Sequence, residues 1–419
     1  VAHSIKRIRT LALVGQSGAG KTSLAEALLA KAGAIPAAGS VERGTTVGDY
    51  TPLEKQLQHS LKLAVDSFDF QEVKLHLLDT PGYPDFLGHA LPALAAVETA
   101  AVVINAQNGI EMMTGRFLQA AAKRGLDRLI VVNKIDADNV DLEALLERIQ
   151  EAFGKECLPL NLPAGGRSKV SDCFFAPSGE SDFSSVEEAH RKLVDQVVEV
   201  DEKLMEKYLE KGEVSPEELH EPLERALREG HLIPVVFTSA KTGAGIAELL
   251  NVIVELLPNP TEGNPPSYFV SKSDGSTTDL QPVPDPGKHV LAHVFKVEID
   301  PYIGRVAVFR VHQGRLTAGT QLYVGESRKP IKAGHLYMLR GKTQTEVHEA
   351  IPGDICAIAK IDEIQFDHIL HDHSEDSHVH ARALELPTPV FGLAVQPKKR
   401  GDEQKVSDVL HKILAEDPC

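Results

Sequence analysis

At 419 residues, with hydrophobic side chains at 42%, charged ones at 25% and a formal net charge of −16, the chain is predicted to hold about three globular domains. That composition excludes a disordered chain or a disulfide scaffold, and the charge argues against indiscriminate nucleic-acid binding, free DNA included, while permitting a local basic patch for an RNA-containing partner. No apolar run approaches the roughly 18 residues of a spanning helix, and residues 1–9 lack an apolar signal core, so a cytoplasmic protein with no membrane partner is expected.

The first predicted strand, Leu11-Ala12-Leu13-Val14, runs into Gly15-Gln16-Ser17-Gly18-Ala19-Gly20-Lys21-Thr22, after which Leu24, Leu28 and Leu29 share one face of a helix. The spacing G-x-x-x-x-G-K-T lets glycines hold a tight turn whose backbone N–H groups, with the N-terminus of the next helix, converge on phosphates. Lys21 would reach the β- and γ-phosphates and Thr22 would ligate Mg2+, with Ser23 following on the helix. Beyond a polar stretch at 33–58, alternation over 61–70 and an apolar run over 73–78 predict two strands, the second ending in Asp79-Thr80-Pro81-Gly82. A carboxylate at such a strand end can hold Mg2+, and the Gly82 N–H can approach a γ-phosphate because no side chain intervenes.

Strands at 101–105 and 128–133, each preceded by an apolar helical stretch, make a βα alternation and hence a mostly parallel sheet. The second ends in Asn133-Lys134-Ile135-Asp136. The Asp136 carboxylate can accept both donors on the Watson–Crick edge of guanine, where adenine offers a different pattern, while the stem of Lys134 covers the ring face. Ser239-Ala240-Lys241, after a strand predicted at 232–238, would add a base contact. GTP or GDP with Mg2+ is therefore the expected ligand, and Asp136 speaks against an ATP-driven enzyme.

This series of elements resembles the GTPase class of P-loop proteins, and Asp79-Thr80-Pro81-Gly82-Tyr83-Pro84-Asp85-Phe86 is similar to the second switch of the translational GTPases. The interval from Asp136 to Ser239 far exceeds one βα unit of roughly 30 residues, so a subdomain is inserted at about 157–235. Its region carries a helix with Leu142, Leu145, Leu146, Ile149 and Phe153, then a strand at 173–176. One long helix through Ala189, Leu193, Val197, Val200, Leu204 and Tyr208 follows, and another opens with Ser215 as N-cap and Glu218 in a capping box. Such an insert resembles that of elongation factor G and is absent from the elongation factor Tu type.

Seven prolines over 258–286 predict an extended linker at 261–287. Strands predicted at 289–298, 305–312, 321–324, 332–339 and 355–360 are separated by turns such as Pro301-Tyr302-Ile303-Gly304 and Pro352-Gly353-Asp354, and a small β-barrel at 288–366 is the economical fold. Phe295-Lys296, Asp300-Pro301-Tyr302-Ile303-Gly304-Arg305, and Gly314 with Leu316 and Gly319 again resemble elongation factor G. Residues 367–385, with five histidines among carboxylates, are expected as an exposed loop rather than a metal site, since nothing in the pattern fixes a ligand geometry. A strand at 386–395 and an amphipathic helix with Val406, Val409, Leu410, Ile413 and Leu414 running into Cys419 resemble the opening of that family's third domain, and the chain reads as an N-terminal fragment. Cys157, Cys173, Cys356 and Cys419 form no C-x-x-C pair and predict buried free thiols. The expected fold class is α/β plus all-β: a P-loop GTPase domain at 1–260, its mostly parallel sheet flanked by helices on both faces, then the barrel and the start of an α+β domain at 386–419.

The resemblance implies a monomeric, ribosome-associated GTPase acting in elongation and translocation or in ribosome recycling. It implies nucleotide contacts from residues 15–23, Asp79, Gly82, Asn133, Lys134, Asp136, Ser239, Ala240 and Lys241, Mg2+ contacts from Thr22, Ser60 and Asp79, and a reaction centre at Lys21, Gly82 and Tyr83. The chain departs from the family where catalysis is at stake. Tyr83 replaces a histidine that serves the attacking water, Gly18 replaces an aspartate, and Leu57-Gln58-His59-Ser60 aligns with the usual R-G-I-T. A divergent paralogue is implied, and two readings stay open: an enzyme that hydrolyses GTP, with His59 a candidate helper, or a GTP-reading regulatory module whose turnover is incidental.

Overall fold

Continuous apolar runs, rather than alternation, build the strands of the N-terminal half, as expected for a parallel sheet buried on both faces. The computed structural model describes residues 4–211, 214–263, 268–272, 274–300, 302–388 and 391–417. The chain divides into two units, Val1–Tyr83 with Val97–Asn264, and Pro84–Ala96 with Pro265–Cys419. The first unit contains β1 (Ile8–Val14), β2 (Ala64–Phe70), β3 (Val73–Asp79), β4 (Thr99–Asn105), β5 (Asp127–Asn133), β6 (Cys157–Pro159), β7 (Asn161–Ala164), β8 (Lys169–Asp172) and β9 (Ile233–Phe237). Their main sheet has the order β2-β3-β1-β4-β5-β9-β6, in which β2 runs antiparallel to β3 and the other pairs are parallel. The carboxyl ends of β1, β3, β5 and β9 therefore share one edge, where open α/β sheets bind ligands.

Helix α1 (Lys21–Lys31) packs Leu24, Leu28 and Leu29 with no exposed surface, each such side chain contributing about 1.5–3 kcal/mol by burial. The helix Leu142–Phe153 starts at Asp141, whose side chain accepts from the Ala144 N–H, and buries Leu142, Leu145 and Ile149. The capping box expected at Ser215 and Glu218 is present.

Two elements of the insert differ from expectation. The single long helix is two, Val186–Val198 and Glu202–Lys211, because the Asp201 carboxylate accepts from the Leu204 N–H and starts a new helix there. The strand expected at 173–176 ends instead at Asp172, whose carboxylate accepts from the Phe174 and Phe175 N–H groups and turns the chain away from the β7–β8 hairpin.

In the second unit, antiparallel strands with one inward face enclose a core that includes Val294, Ala307, Phe309, Leu336 and Ile358. Leu291–Asp300 pairs with Gly304–Gln313, which pairs in turn with Ile355–Ala359. The strand expected at 332–339 is divided into Ile331–Lys332 and Leu336–Arg340, around Gly334. The expected linker holds a hairpin: Tyr268–Ser271 pairs with Thr277–Leu280 across Asp274-Gly275, with Gly275 in the left-handed region at φ +82°.

The histidine-rich stretch is not a loop throughout. Ile369–His371 pairs with Leu291–Asp300 and with Gln321–Val324, while Val379–Ala381 pairs with Tyr268–Ser271. Three-residue strands are too short to show a period, and His371 is fully buried because carbonyl oxygens of His373 and Gly325 face its two ring nitrogens. No strand forms among the described residues of 386–395, since a strand needs a ladder partner and Phe391 and Leu393 are about 80% exposed here. The helix Glu403–Glu416 is present, with Val409, Leu410, Ile413 and Leu414 exposed. Residues 264–267 and 273 of the expected linker, Pro301 of the expected turn, Pro389 and Val390, and Cys419 lie outside the described residues. Cys157, Cys173 and Cys356 are buried free thiols, and among the described residues no helix is long and apolar enough to cross a membrane.

Candidate functional site

The loop between β1 and α1 is shaped by its glycines. Gly20, at φ +89°, precedes the first turn of α1, and a Cβ there would sit 2.6 Å from Asn133 Nδ2. No side chain caps α1, so the N–H groups of its first turn are left to a ligand or to water. Lys21 is buried and folds back over the loop, its Nζ donating to Gly15 O at 2.9 Å and Gln16 O at 3.0 Å. Gly82 lies directly on this loop: its carbonyl accepts from Ser17 N at 3.0 Å, and a Cβ on it would collide with Lys21 Nζ. The Thr80 hydroxyl and N–H both donate to Leu13 O, which fixes the Asp79-to-Gly82 turn against the end of β1.

Below the loop four oxygen-bearing side chains converge. Thr22 Oγ1 and Ser60 Oγ are 3.0 Å apart, Thr22 hydrogen-bonds Asp79, and Ser60 hydrogen-bonds Asp49. Asp79 and Asp49 are buried, yet Asp79 Oδ1 and Asp49 Oδ2 have no hydrogen-bond partner among the described residues. Burial, reinforced by the neighbouring Asp49 charge, pushes the Asp79 carboxyl up to about 8. Burial likewise raises Asp49 to about 6 and lowers the Lys21 ammonium to about 8. Two carboxylates and two hydroxyls with orphaned oxygens are a hard donor set, which fits Mg2+.

Asp49 is a site residue that sequence reasoning missed. The signal was the capping box Thr51-Pro52-Leu53-Glu54, which starts the helix α2 (Pro52–Leu57) directly after Asp49. Glu54 then accepts from the Leu61 and Lys62 N–H groups and thereby holds the Ser60 turn. Tyr83 is 41% exposed, and its ring meets the His59 ring edge-on with centroids 4.7 Å apart.

At the other end of the edge, Asn133 is fully buried and ties three loops together: its Nδ2 donates to Ala19 O and Gly20 O, and its Oδ1 accepts from Ala240 N at 3.1 Å. Lys134, in the left-handed region at φ +64°, reaches Gly18 O with its Nζ at 2.8 Å. Asp136 Oδ1 accepts from Ser239 Oγ at 2.6 Å, and Lys241 Nζ stands 3.9 Å from Asp136 Oδ2. The structure thus brings together all the residues expected around a base and, Ser23 excepted, those expected around phosphate. Ser23, by contrast, is exposed on α1.

The family model of the elongation factor Tu GTP binding domain matches residues 6–259, that of elongation factor G domain 2 matches 289–368, and that of elongation factor G domain III matches 386–419. An elongation factor G-like protein of Mycobacterium tuberculosis is 32% identical over 440 residues, covering 98% of this chain and 61% of the relative. Elongation factor G of Thermotoga petrophila is 28% identical, covering 99% of this chain and 62% of the relative. A crystal structure of a protein from Thermus thermophilus superposes with a TM-score of 0.83 at 35% identity, covering 99% of this chain and 61% of that one. The chain therefore spans under two thirds of the length of these relatives. With the three models in chain order over one continuous sequence, the chain belongs to the elongation factor G family of translational GTPases, as a divergent member of it.

Proposed function

We propose that the chain binds GTP and GDP with Mg2+ and hydrolyses GTP to GDP and phosphate, as a cytoplasmic monomer whose partner is the ribosome. The observation that carries this reading is the pair of orphaned carboxylate oxygens, Asp79 Oδ1 and Asp49 Oδ2, beside the Thr22 and Ser60 hydroxyls at the foot of the phosphate loop. Those four residues would hold Mg2+, which when bound neutralises phosphate charge. The ribosome enters from the relatives, which are elongation factors by name, and elongation, translocation and recycling all fit that partner.

The chain's own residues then divide the work. Lys21 Nζ exchanges its carbonyl acceptors, Gly15 O and Gln16 O, for phosphate oxygens, and the N-terminus of α1 adds N–H donors. Gly82 releases Ser17 N and offers its own N–H to the γ-phosphate. Asp136 accepts from guanine, with Ser239, Ala240, Lys241 and Lys134 framing the base. In hydrolysis, water attacks the γ-phosphorus, the bond to the β–γ bridging oxygen breaks, and Lys21 stabilises the charge that moves onto the leaving diphosphate. His59, whose ring lies edge-on against Tyr83, would align that water, a task for which a phenol is a poorer proton acceptor than an imidazole.

Tyr83 itself favours the second reading, a GTP-reading module with incidental turnover. Multiple-turnover hydrolysis with and without ribosomes separates the two. The enzyme reading expects ribosome stimulation of the natural sequence and a loss of about 100-fold in His59→Ala. Turnover confined to a Tyr83→His variant would contradict it and establish the module.

A further inference from the structure

The antiparallel register between Leu291–Asp300 and Ile369–His371 sets Leu291 opposite His371 and Ala292 opposite Leu370. Carried outward past the end of the ladder, that register sets His289 opposite His373, and the Val290 N–H donating to Asp372 Oδ1 at 2.8 Å shows that the two chains stay together there. The two imidazoles stack with centroids 4.0 Å apart and planes 12° apart. The chain then makes a 3-10 turn, Ser374–His378, in which the Asp376 N–H donates to His373 O at 3.1 Å and the Asp376 carboxylate is carried back beneath the rings.

One ligand atom from each of His289, His373 and Asp376 lies within 4.8 Å of the other two. Asp376 Oδ2 is a buried atom with no hydrogen-bond partner among the described residues, and it lies 3.5 Å from His289 Nδ1. His373 Nδ1 accepts from the Glu375 N–H at 3.4 Å, which orients the ring; ligation through Nε2 moves the ring proton to Nδ1 and gives up this long contact. His371, although adjacent, is committed to carbonyl oxygens through both ring nitrogens and is no ligand.

We propose that His289, His373 and Asp376 form a binding site for one divalent transition-metal ion of the zinc class, with water completing the coordination. Two imidazoles and one carboxylate select Zn2+, Co2+ or Ni2+ over Mg2+, so this site is chemically distinct from the oxygen-only cluster at the phosphate loop. Tetrahedral ligation at about 2.0–2.1 Å requires the three atoms to draw together by roughly an ångström and the two stacked rings to splay, because each lone pair lies in its ring plane and nearly parallel planes do not meet on one ion; the half-exposed rings leave room for that turn. A bound ion would staple the 3-10 turn to the strand that begins at Leu291, and its binding would reverse the expectation of a histidine-rich loop without a metal site.

The test is a Co2+ titration of the chain with GTP and excess Mg2+ present, read by the visible bands of four-coordinate Co2+ and reversed by Zn2+. One equivalent is expected to bind. His289→Ala, His373→Ala and Asp376→Asn should each weaken it by more than the roughly 10–100-fold that losing an outer-shell partner costs. His335→Ala, at an exposed histidine paired with Glu346, should leave it intact. His289→Gln, a milder change at a half-exposed position, repeats the test should a larger change disturb folding. Unchanged Co2+ affinity in the His289 variants, or an equal loss in His335→Ala, would overturn the proposal and mark the binding as adventitious.

Discussion

At the Asn133-to-Asp136 end of the cleft the polar groups are matched inside the fold, whereas at the Lys21-to-Asp79 end two carboxylate oxygens have no hydrogen-bond partner among the described residues. Asn133 spans three loops and Asp136 rests on the Ser239 hydroxyl. Across the sheet, Asp79 and Asp49 crowd each other beneath Lys21, whose Nζ donates to Gly15 O and Gln16 O of its own loop. On the proposed nucleotide reading, base recognition would be preorganised, while the phosphate end would be completed by what it binds and so would report whether it is bound.

The largest effect expected from breaking this arrangement is at Lys21. Lys21→Ala should lower single-turnover hydrolysis at saturating GTP by on the order of 10³-fold, because on the proposed reading it removes the donor that meets the developing charge. A loss below tenfold would remove Lys21 from the reaction centre. At the preorganised end, Asp136→Asn should weaken GTP by about 1–3 kcal/mol, since an amide offers one acceptor where the carboxylate offers two. Competition with xanthosine triphosphate checks this; unchanged discrimination would defeat the base assignment.

A third expectation concerns pH. The Asp79 carboxyl is raised from its ordinary 3.8 to about 8, so between those values the unfolded chain has released a proton that the folded, ligand-free chain still holds. The stability Asp79 contributes is therefore full below about pH 4 and is lost as pH rises towards 8; Asp49, raised to about 6, acts in the same direction over a narrower window. Thermal melting should show the ligand-free protein losing stability across this range, with Asp79→Asn flattening the slope and also abolishing Mg2+-dependent GTP affinity. A slope unaltered by Asp79→Asn would show that the buried carboxylate is not its source.

The smallest effect sharpens the comparison from the loop side. Gln58 holds φ +57°, a left-handed conformation in which a side chain costs roughly 1–2 kcal/mol. Glycine there loses part of that gain to chain entropy, so Gln58→Gly should stabilise by at most about 1 kcal/mol in denaturant unfolding. Destabilisation would mean that the Gln58 side chain, which donates to Glu42 O, matters more than its backbone.

Much of this was legible in the residues. The phosphate loop, the Asp79 turn and the Asn133-to-Asp136 run each carry special residue types at fixed spacing, and the long buried strands announced the sheet. The illegible parts were decided by single side chains or by distant partners. Asp201 and Asp172 each redirect the chain through one carboxylate, and a hydropathy period cannot register that. The hairpin within the proline-rich stretch did carry a signal, Asp274-Gly275, outweighed by the surrounding prolines. His371 and His373 look alike in sequence, yet register buries one in a strand and leaves the other stacked on His289. Asp49 escaped because its role depends on the α2 turn that returns Ser60 to Thr22.

The most direct test is backbone hydrogen exchange of the chain with and without GTP and Mg2+, followed at both ends of the cleft. Ligand is expected to slow exchange strongly over residues 45–62 and 79–83, where a Mg2+ ion and a γ-phosphate would replace internal contacts. Little change is expected at 133–136 and 239–244, which are already bonded to one another. Equal protection at the two ends, or protection confined to 133–136 and 239–244, would contradict that expectation.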